Sequence, residues 1–191
     1  MAGERIDLAI TTQAAIDELG KHRKILPDSA TPLARSRIGV AVRAGAPRPD
    51  IQSVESFKRA MLQANSIALA DPAMGSPSAT HLFGVIEHLG MTAELQTKIR
   101  LARAAAGAAV LVGEIVARGE AEIGIQQIAE ILAVPGIDLV GELPAELQHV
   151  TVFSGAVAAT SGNPTQARKL IEFLASPASA SIIRVKGMET G

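Results

Sequence analysis

Short apolar runs alternate along the chain with segments whose apolar residues recur three and four positions apart. Runs of the first kind predict buried strands, and segments of the second kind predict amphipathic helices. The predicted strands cover residues 6–10, 38–43, 67–70, 99–102, 122–125 and 150–159. The predicted helices cover residues 13–19, 54–64, 78–89, 110–118, 164–174 and 177–185, and residues 131–147 are expected to be rich in loops. This alternation predicts an α/β fold with a parallel or mixed sheet and helices on both faces.

Capping signals mark several of the predicted helix ends. Ser53 is a predicted N-cap, and Gly90 stands where a helix C-terminus requires a positive φ. Asn163 precedes a proline, and Gln166 completes a capping-box pattern with it. The Ser-Pro pair at 176–177 repeats the cap-and-proline signal for the last helix.

The segment between the strand at 67–70 and the helix at 78–89 is the most informative part of the chain. It supplies Gly75, Ser76, Ser78, Ala79 and Thr80 around the point where the helix begins. The first N–H groups of a helix have no intrahelical acceptor, and the helix dipole is positive at that end. Hydroxyls and a glycine before such an end can hold an anion, so this segment is the candidate oxyanion site. The alternative is that one hydroxyl only caps the helix.

Polar residues after other predicted strands are weaker candidates for ligand contact. Gln126 and Gln127 follow an apolar strand, where amides either orient a ligand or tie crossing segments together. Thr11 and Thr12 follow the first strand and either face a cleft or serve a turn or cap. Asp71 precedes a proline and is expected to bond to its own loop.

No set of residues predicts catalysis or a metal site. His81 and His88 lie seven residues apart on one predicted helix, but no carboxylate joins them at ligand spacing, so a solvated helix face is expected. The sequence lacks the nucleophile elbow, the zinc-protease motif and the phosphate-loop lysine motif. We therefore expect a binding protein with no catalytic residues, no bound metal and no cofactor.

Composition narrows the classes of partner. The 191 residues have a net charge of -1, which argues against nucleic acid held by phosphate neutralisation. There is no cysteine, so disulfides and thiolate-ligated metals are excluded, and aromatic residues make up only 2%. No apolar run is long enough to span a bilayer. The N-terminus lacks a signal-peptide pattern, which predicts a cytoplasmic protein if Met1 is the true start.

Five segments, in their order and spacing, resemble the molybdate-binding family of periplasmic solute-binding proteins, which has the type II periplasmic binding fold. They read GVAVRAGAP at 39–47, IALADPAMG at 67–75, ARGEAEIGIQQ at 117–127, LPAELQ at 143–148 and ARKLIEFLASP at 167–177. The resemblance covers nearly the whole chain from residue 6 onward.

The resemblance implies two α/β lobes with helices on both faces of mixed sheets. Lobe two would be residues 37–124, and lobe one would be built from residues 1–36 and 125–191. In the family, an oxyanion binds between the lobes through backbone N–H groups and hydroxyls, and an ABC permease receives it in the periplasm. The matching positions here are Gly75, Ser76, Ser78 and Ala79, together with Pro77, which has no N–H to donate.

The chain departs from the family pattern at its N-terminus. The family's signal peptide and the first units of lobe one have no counterpart before residue 6, so lobe one is expected to be incomplete. Incomplete sheets expose edges, which predicts homodimerisation or strand exchange. The same departure favours a second hypothesis, a non-transport protein that senses a small metabolite or that keeps the fold without a ligand.

Overall fold

The structure is a computed structural model that describes residues 5–103 and 111–191. The chain divides into two compact units, one formed by Met1–Ser36 with Thr151–Gly191 and the other by Arg37–Val150. The predicted division at residue 36 agrees with this partition, whereas residues 125–150 lie in the second unit rather than in lobe one. The alanine-rich segment at 104–109 and the first residue of the predicted helix at 110–118 lie outside the described residues.

Strands and helices alternate along the described residues. The strands are β1 (Leu8–Thr12), β2 (Thr31–Ser36), β3 (Ile38–Arg43), β4 (Ile67–Ala70), β5 (Ile99–Ala102), β6 (Ile123–Gln127), β7 (Ile137–Glu142), β8 (Thr151–Val157) and β9 (Glu189–Thr190). The α-helices are α1 (Gln13–Lys21), α2 (Val54–Gln63), α3 (Pro77–His88), α4 (Thr92–Leu95), α5 (Val112–Ala117), α6 (Ile128–Ile131), α7 (Pro164–Ala175) and α8 (Pro177–Val185). Short 3-10 turns occupy Pro72–Met74 and Ala145–Leu147. No helix within residues 5–103 and 111–191 is long and apolar enough to cross a membrane.

The unit formed by residues 37–150 is built on a five-stranded mixed sheet in the order β5-β4-β6-β3-β7. β4 pairs in parallel with β5 and β6, and β3 pairs antiparallel with β6 and β7. One face packs against α2 and α3 in the larger core cluster, and the other packs against α5. Residues 125–150 belong here because β6 and β7 flank β3 on its two sides. The carboxyl ends of β4, β5 and β6 meet at one edge, where ligands of α/β proteins commonly bind.

The unit formed by both chain ends contains a four-stranded sheet in the order β1-β8-β2-β9. All its described pairings are antiparallel, so the mixed sheet expected for this lobe is found only in the other unit. Helix α7 covers the sheet through a small core of Leu33, Val157, Ala167 and Ile171. The α/β fold class is confirmed, with helices packed on the sheets of each unit.

The sequence pattern did not predict the strands β2, β7 and β9 or the four-residue helices α4 and α6. β2 contains Pro32, which cannot donate to a ladder, and the register with β8 shifts between Pro32 and Ala34 to accommodate it. β7 lies in the segment predicted as loop, because its residues are only half-buried at a sheet edge. The first strand also begins at Leu8 rather than at residue 6.

The predicted helix caps are confirmed at two sites and wrong at two others. Ser53 accepts from the Ser56 N–H at 3.1 Å, and Gly90 has a φ of 68°. The Asn163 side chain does not cap α7, so the capping box predicted with Gln166 does not form. Its backbone N–H donates instead to Asp7 Oδ1 at 3.1 Å. The Ser176 hydroxyl donates backwards to the Phe173 carbonyl at 2.7 Å instead of capping α8.

A side-chain amide replaces a strand neighbour at the start of β3. Gln148 Oε1 accepts from the Ile38 N–H at 2.9 Å, and Gln148 Nε2 donates to the Ile38 carbonyl at 3.0 Å. Removing the amide leaves the N–H of the fully buried Ile38 without this partner, whereas its carbonyl still accepts from the Leu143 N–H at 3.1 Å. We expect Gln148→Ala to lower the free energy of unfolding by about 1–3 kcal/mol in urea denaturation. An equal loss in Gln52→Ala, which removes an exposed glutamine of the same unit, would contradict this role.

Candidate functional site

A sharply turned segment connects β4 to α3 and presents the first turn of the helix. Asp71 ends the strand and accepts from the Ala73 N–H at 3.0 Å, which starts the 3-10 turn at Pro72–Met74. Gly75 then adopts a left-handed φ of 75°, a conformation that glycine tolerates without steric cost. A Cβ added at Gly75 would meet no atom within 4 Å, so the space beside this turn is open.

Two serine hydroxyls and two backbone N–H groups meet at the start of α3. Ser76 Oγ accepts from the Ala79 N–H at 3.4 Å, a long and therefore weak capping bond. Ser78 Oγ lies 3.0 Å from Ser76 Oγ, and the Ser78 residue is only 6% exposed. The N–H groups of Ser76 and Ser78 have no acceptor within the part of the chain that the structure describes. One hydroxyl donates to the other, so the helix start holds three donors that an anion can engage, the two N–H groups and the remaining hydroxyl.

The polar groups of two other predicted site residues, Ala79 and Thr80, are already hydrogen-bonded within the start of the helix. The Ala79 N–H is the group that Ser76 caps, and Ala79 is 1% exposed. Thr80 is exposed, but its hydroxyl donates to the Ser76 carbonyl at 3.3 Å, and its N–H donates to the same oxygen at 3.1 Å. The structure thus brings Gly75, Ser76 and Ser78 together in the candidate site, with Gly75 exposed, Ser76 half-buried and Ser78 buried.

An ion pair beside this segment was not predicted from the sequence. Arg103 Nε donates to Asp71 Oδ2 at 2.8 Å, and the Arg103 side chain is 69% exposed. The Ala73 N–H, and after it Arg103, holds the pKa of the Asp71 carboxyl below its ordinary value. The register of parallel strands β4 and β5, which aligns Ala70 with Ala102, explains the pairing because the next residue of each strand lies at the same edge. The pair places a guanidinium near the turn while Asp71 offsets its charge.

Gln126 lies at the carboxyl end of β6 but not beside the serines. Ile125 packs in the cluster that contains α3 residues, whereas Gly124 faces Val112 and Val116 of α5. Because strand side chains alternate between faces, Gln126 lies on the α5 face of the sheet. Its Oε1 is buried without a hydrogen-bond partner among the described residues. This glutamine therefore belongs to a different face of the sheet from the candidate anion site.

Thr11 belongs to the other unit, in β1 opposite Ser154 of β8. Its neighbour Thr12 caps α1 by accepting from the Ala15 N–H at 3.3 Å, which is the capping duty that we held as the alternative for this pair. As a ligand-binding residue, Thr11 stays a prediction.

His81 pairs with a histidine that the sequence pattern did not connect to it. The His81 and His149 rings stack with centroids 5.0 Å apart, and His81 Nε2 lies 2.8 Å from the Leu147 carbonyl oxygen. No group of three or more metal-ligating side chains occurs within residues 5–103 and 111–191. Burial, and secondarily His81, lowers the pKa of His149.

Because the pKa of His149 is lowered, we expect the protein to lose stability on acidification already at pH values above those at which carboxyl groups titrate. Between the folded and unfolded pKa values, the unfolded chain binds more protons, so stability falls as the pH drops through about 6.5. We expect the melting temperature to fall more between about pH 7.5 and pH 5.5 in the wild type than in His149→Gln. Glu130, whose pKa is raised by burial, has the opposite effect on stability in both proteins. Comparing how steeply the melting temperature changes with pH in the wild type and in the variant therefore cancels the contribution of Glu130. Equal slopes would contradict the assignment.

Comparisons with known proteins agree with this architecture. A family model described as bacterial extracellular solute-binding protein matches residues 1–189. An aconitate isomerase from Pseudomonas sp is 38% identical over 186 residues, which is 97% of this chain and 68% of that protein.

Solved structures give the same fold at lower identity. The periplasmic molybdate-binding protein of Azotobacter vinelandii is 19% identical with a TM-score of 0.76, and the match covers 99% of this chain and 80% of that one. The substrate binding domain of a putative molybdenum ABC transporter from Clostridium difficile is also 19% identical, with a TM-score of 0.72 and coverage of 99% and 79%. The type II periplasmic binding fold is confirmed, whereas the expected homodimer gains no support from these matches.

Proposed function

Because the chain belongs to the bacterial extracellular solute-binding protein family, we propose that it captures a small oxyanion at the start of α3. Delivery of that anion to the permease of an ABC importer, on the periplasmic side of the membrane, is part of the same proposal. The observation that supports it best is the set of donors on Ser76 and Ser78. Two N–H groups without described acceptors and two hydroxyls that bond to each other point to a ligand that accepts hydrogen bonds.

Neutral donors suit a protein that must release its ligand. Fixed N–H dipoles and hydroxyls stabilise an anion without burying a full positive charge beside it. The nearby guanidinium of Arg103 is already bound to Asp71, so the segment is close to neutral overall. An oxyanion such as molybdate accepts several hydrogen bonds at once, which this arrangement of donors can supply.

A second candidate ligand is a small polycarboxylate. The aconitate isomerase is 38% identical to this chain, twice the identity of the molybdate-related structures. Carboxylates accept the same hydrogen bonds as molybdate, so the segment around Ser76 fits either ligand class. If the chain also isomerised aconitate, it would need a group that removes a proton. The carboxylate beside this segment, Asp71, has a lowered pKa and is bound to Arg103, so the geometry supports binding of a polycarboxylate better than its isomerisation.

Calorimetric titration of the purified chain with molybdate, sulfate and cis-aconitate tests the proposal. Saturable binding of molybdate or sulfate supports capture of an inorganic oxyanion. Binding of aconitate alone transfers the proposal to polycarboxylates, and an NMR assay for trans-aconitate then separates a carrier from an isomerase. Conversion of cis-aconitate to trans-aconitate would establish the enzyme. Absence of heat with all three compounds would contradict anion capture and favour the metabolite-sensing or ligand-free hypothesis.

A further inference from the structure

A second concave surface lies in the unit of residues 37–150, at the other end of β4 from the candidate anion site. Ala64, which precedes β4, and Ile123, which begins β6, line it, whereas Ser76 follows the end of β4. Its volume is about 620 Å³. Pockets for small organic molecules commonly range from about 300 to 1,000 Å³. We call this surface the α2 groove, after the helix that forms one wall.

The floor of the α2 groove is mainly apolar and is built from small residues along one side of the helix and apolar residues of the sheet. Ser56, Ala60 and Ala64 recur every four residues on the same face of α2 and its C-terminal end. Val42 and Ile123 form the adjoining part of the floor from the sheet. All five residues are at most 8% exposed. The short helix side chains leave a hollow between α2 and the loop that follows β3, where larger residues would fill it.

The rim of the α2 groove carries cations without carboxylate partners. Arg43 at the end of β3 and Arg59 on α2 both line the groove, and neither forms an ion pair among the described residues. A third rim cation, Arg48, lies 3.6 Å from Asp138. The groove therefore presents two guanidinium groups that are available to an anion.

The acidic residues on the same rim have other partners. Glu122 accepts from the Asn65 backbone at 2.9 Å and from the Asn65 side chain at 2.6 Å. Asp50 accepts from the Gln52 N–H at 3.1 Å. These bonds hold Asp50 to its own turn and Glu122 to the segment that precedes β4. Neither carboxylate forms an ion pair with Arg43 or Arg59 among the described residues.

We infer that the α2 groove binds a small organic anion that has an apolar body and an acidic head group. The buried floor would cover the apolar body, and Arg43 and Arg59 would hold the head group through charge-assisted hydrogen bonds. A bare inorganic ion would leave the floor uncovered, so the ligand class differs from the oxyanion expected at α3. The inference does not depend on the function proposed for the start of α3.

Fluorescence titration with anilinonaphthalene sulfonate tests this inference, because the probe has an aromatic body and one sulfonate group. We expect saturable binding with one site per chain. The double variant Arg43→Gln/Arg59→Gln should raise the Kd of the probe at least about tenfold. Ala60→Met, which places a longer side chain on the floor, should reduce the bound fraction to a similar extent. Arg168→Gln is the matched control, since it removes an exposed arginine from α7 in the other unit.

Each outcome decides the inference, provided that the variants unfold at temperatures close to that of the wild type. A loss in the double variant and in Ala60→Met, with Arg168→Gln unchanged, supports the groove. Non-saturable binding, or an equal loss in Arg168→Gln, would overturn it because the probe would then report general surface charge. Excess molybdate should leave probe binding unchanged. Displacement by molybdate would place the probe at α3 and contradict a separate groove.

Discussion

Replacing Ser78 by alanine should raise the Kd for the bound anion by about tenfold to a hundredfold, the effect of losing one hydrogen bond to a charged group. The hydroxyl of Ser78 is buried and lies 3.0 Å from Ser76 Oγ, so its loss removes one donor and releases the other from its position. Ser78 is not the N-cap, and the helix should therefore keep its start. Calorimetry with whichever anion binds the wild type measures the change.

Ser53→Ala is the matched control for this prediction. Ser53 caps α2 in the same unit through a bond of 3.1 Å to the Ser56 N–H, so its removal costs about 0.5–2 kcal/mol of stability. It should leave anion affinity unchanged, because Ser53 supplies no hydrogen-bond donor to the segment around Ser76. An unchanged affinity in Ser78→Ala, or an equal loss in Ser53→Ala, would remove Ser78 from the site.

Replacing Phe57 by alanine should cost about 3–5 kcal/mol of unfolding free energy, the largest stability effect that we expect. Phe57 is 1% exposed and is the largest fully buried side chain of the described residues. It lies in the core cluster that joins α2 to the sheet and to α3 residues Leu82 and Ile86. The cavity left by the ring would remove contacts that hold the helix of the candidate site in place. Urea denaturation followed by circular dichroism gives the loss.

Phe173→Ala provides the comparison, because Phe173 is 58% exposed on α7 of the other unit. We expect this variant to lose less than about 1 kcal/mol, as surface substitutions usually do. If the two variants lost similar amounts, Phe57 would not occupy the core described here. A variant of Phe57 that stayed folded and bound anion normally would show that α3 does not depend on this packing.

Three strands have the bounds that the sequence predicts, and two of them, β3 and β4, are mostly buried, whereas β5 is half-buried at the sheet edge. β3 and β4 are continuous apolar runs, and their observed bounds equal the predicted ones. β2 was missed because Pro32 argues against a strand unless a register shift accommodates it, which only the pairing with β8 reveals. β7 was missed because a half-buried edge strand lacks a clear apolar pattern. A proline in β2 and the lack of an apolar pattern in β7 thus account for these two missed strands.

The candidate site was partly predictable for a related reason. The donors of Ser76 and Ser78 follow from local signals, a strand end, a glycine and a cap, all within a few residues. Arg103 approaches Asp71 only because β4 and β5 pair in a particular register. His149 and His81 are far apart in the sequence, and only the folded chain brings their rings together. Gln126 was expected near the ligand because it ends a strand, but strand alternation directs it to the α5 face. Contacts that depend on tertiary pairing were therefore the ones that sequence analysis missed.

An amide-resolved NMR titration of the isotopically labelled chain with molybdate tests the central claim most directly. If the start of α3 binds the anion, the amide resonances of Ser76 and Ser78 should shift in a saturable manner, with one common Kd, because these N–H groups gain an acceptor. The amides of Ser53 and Ser56 at the start of α2 should stay in place. Saturable shifts at another segment, without change at Ser76 and Ser78, would contradict the assignment of the anion site to α3.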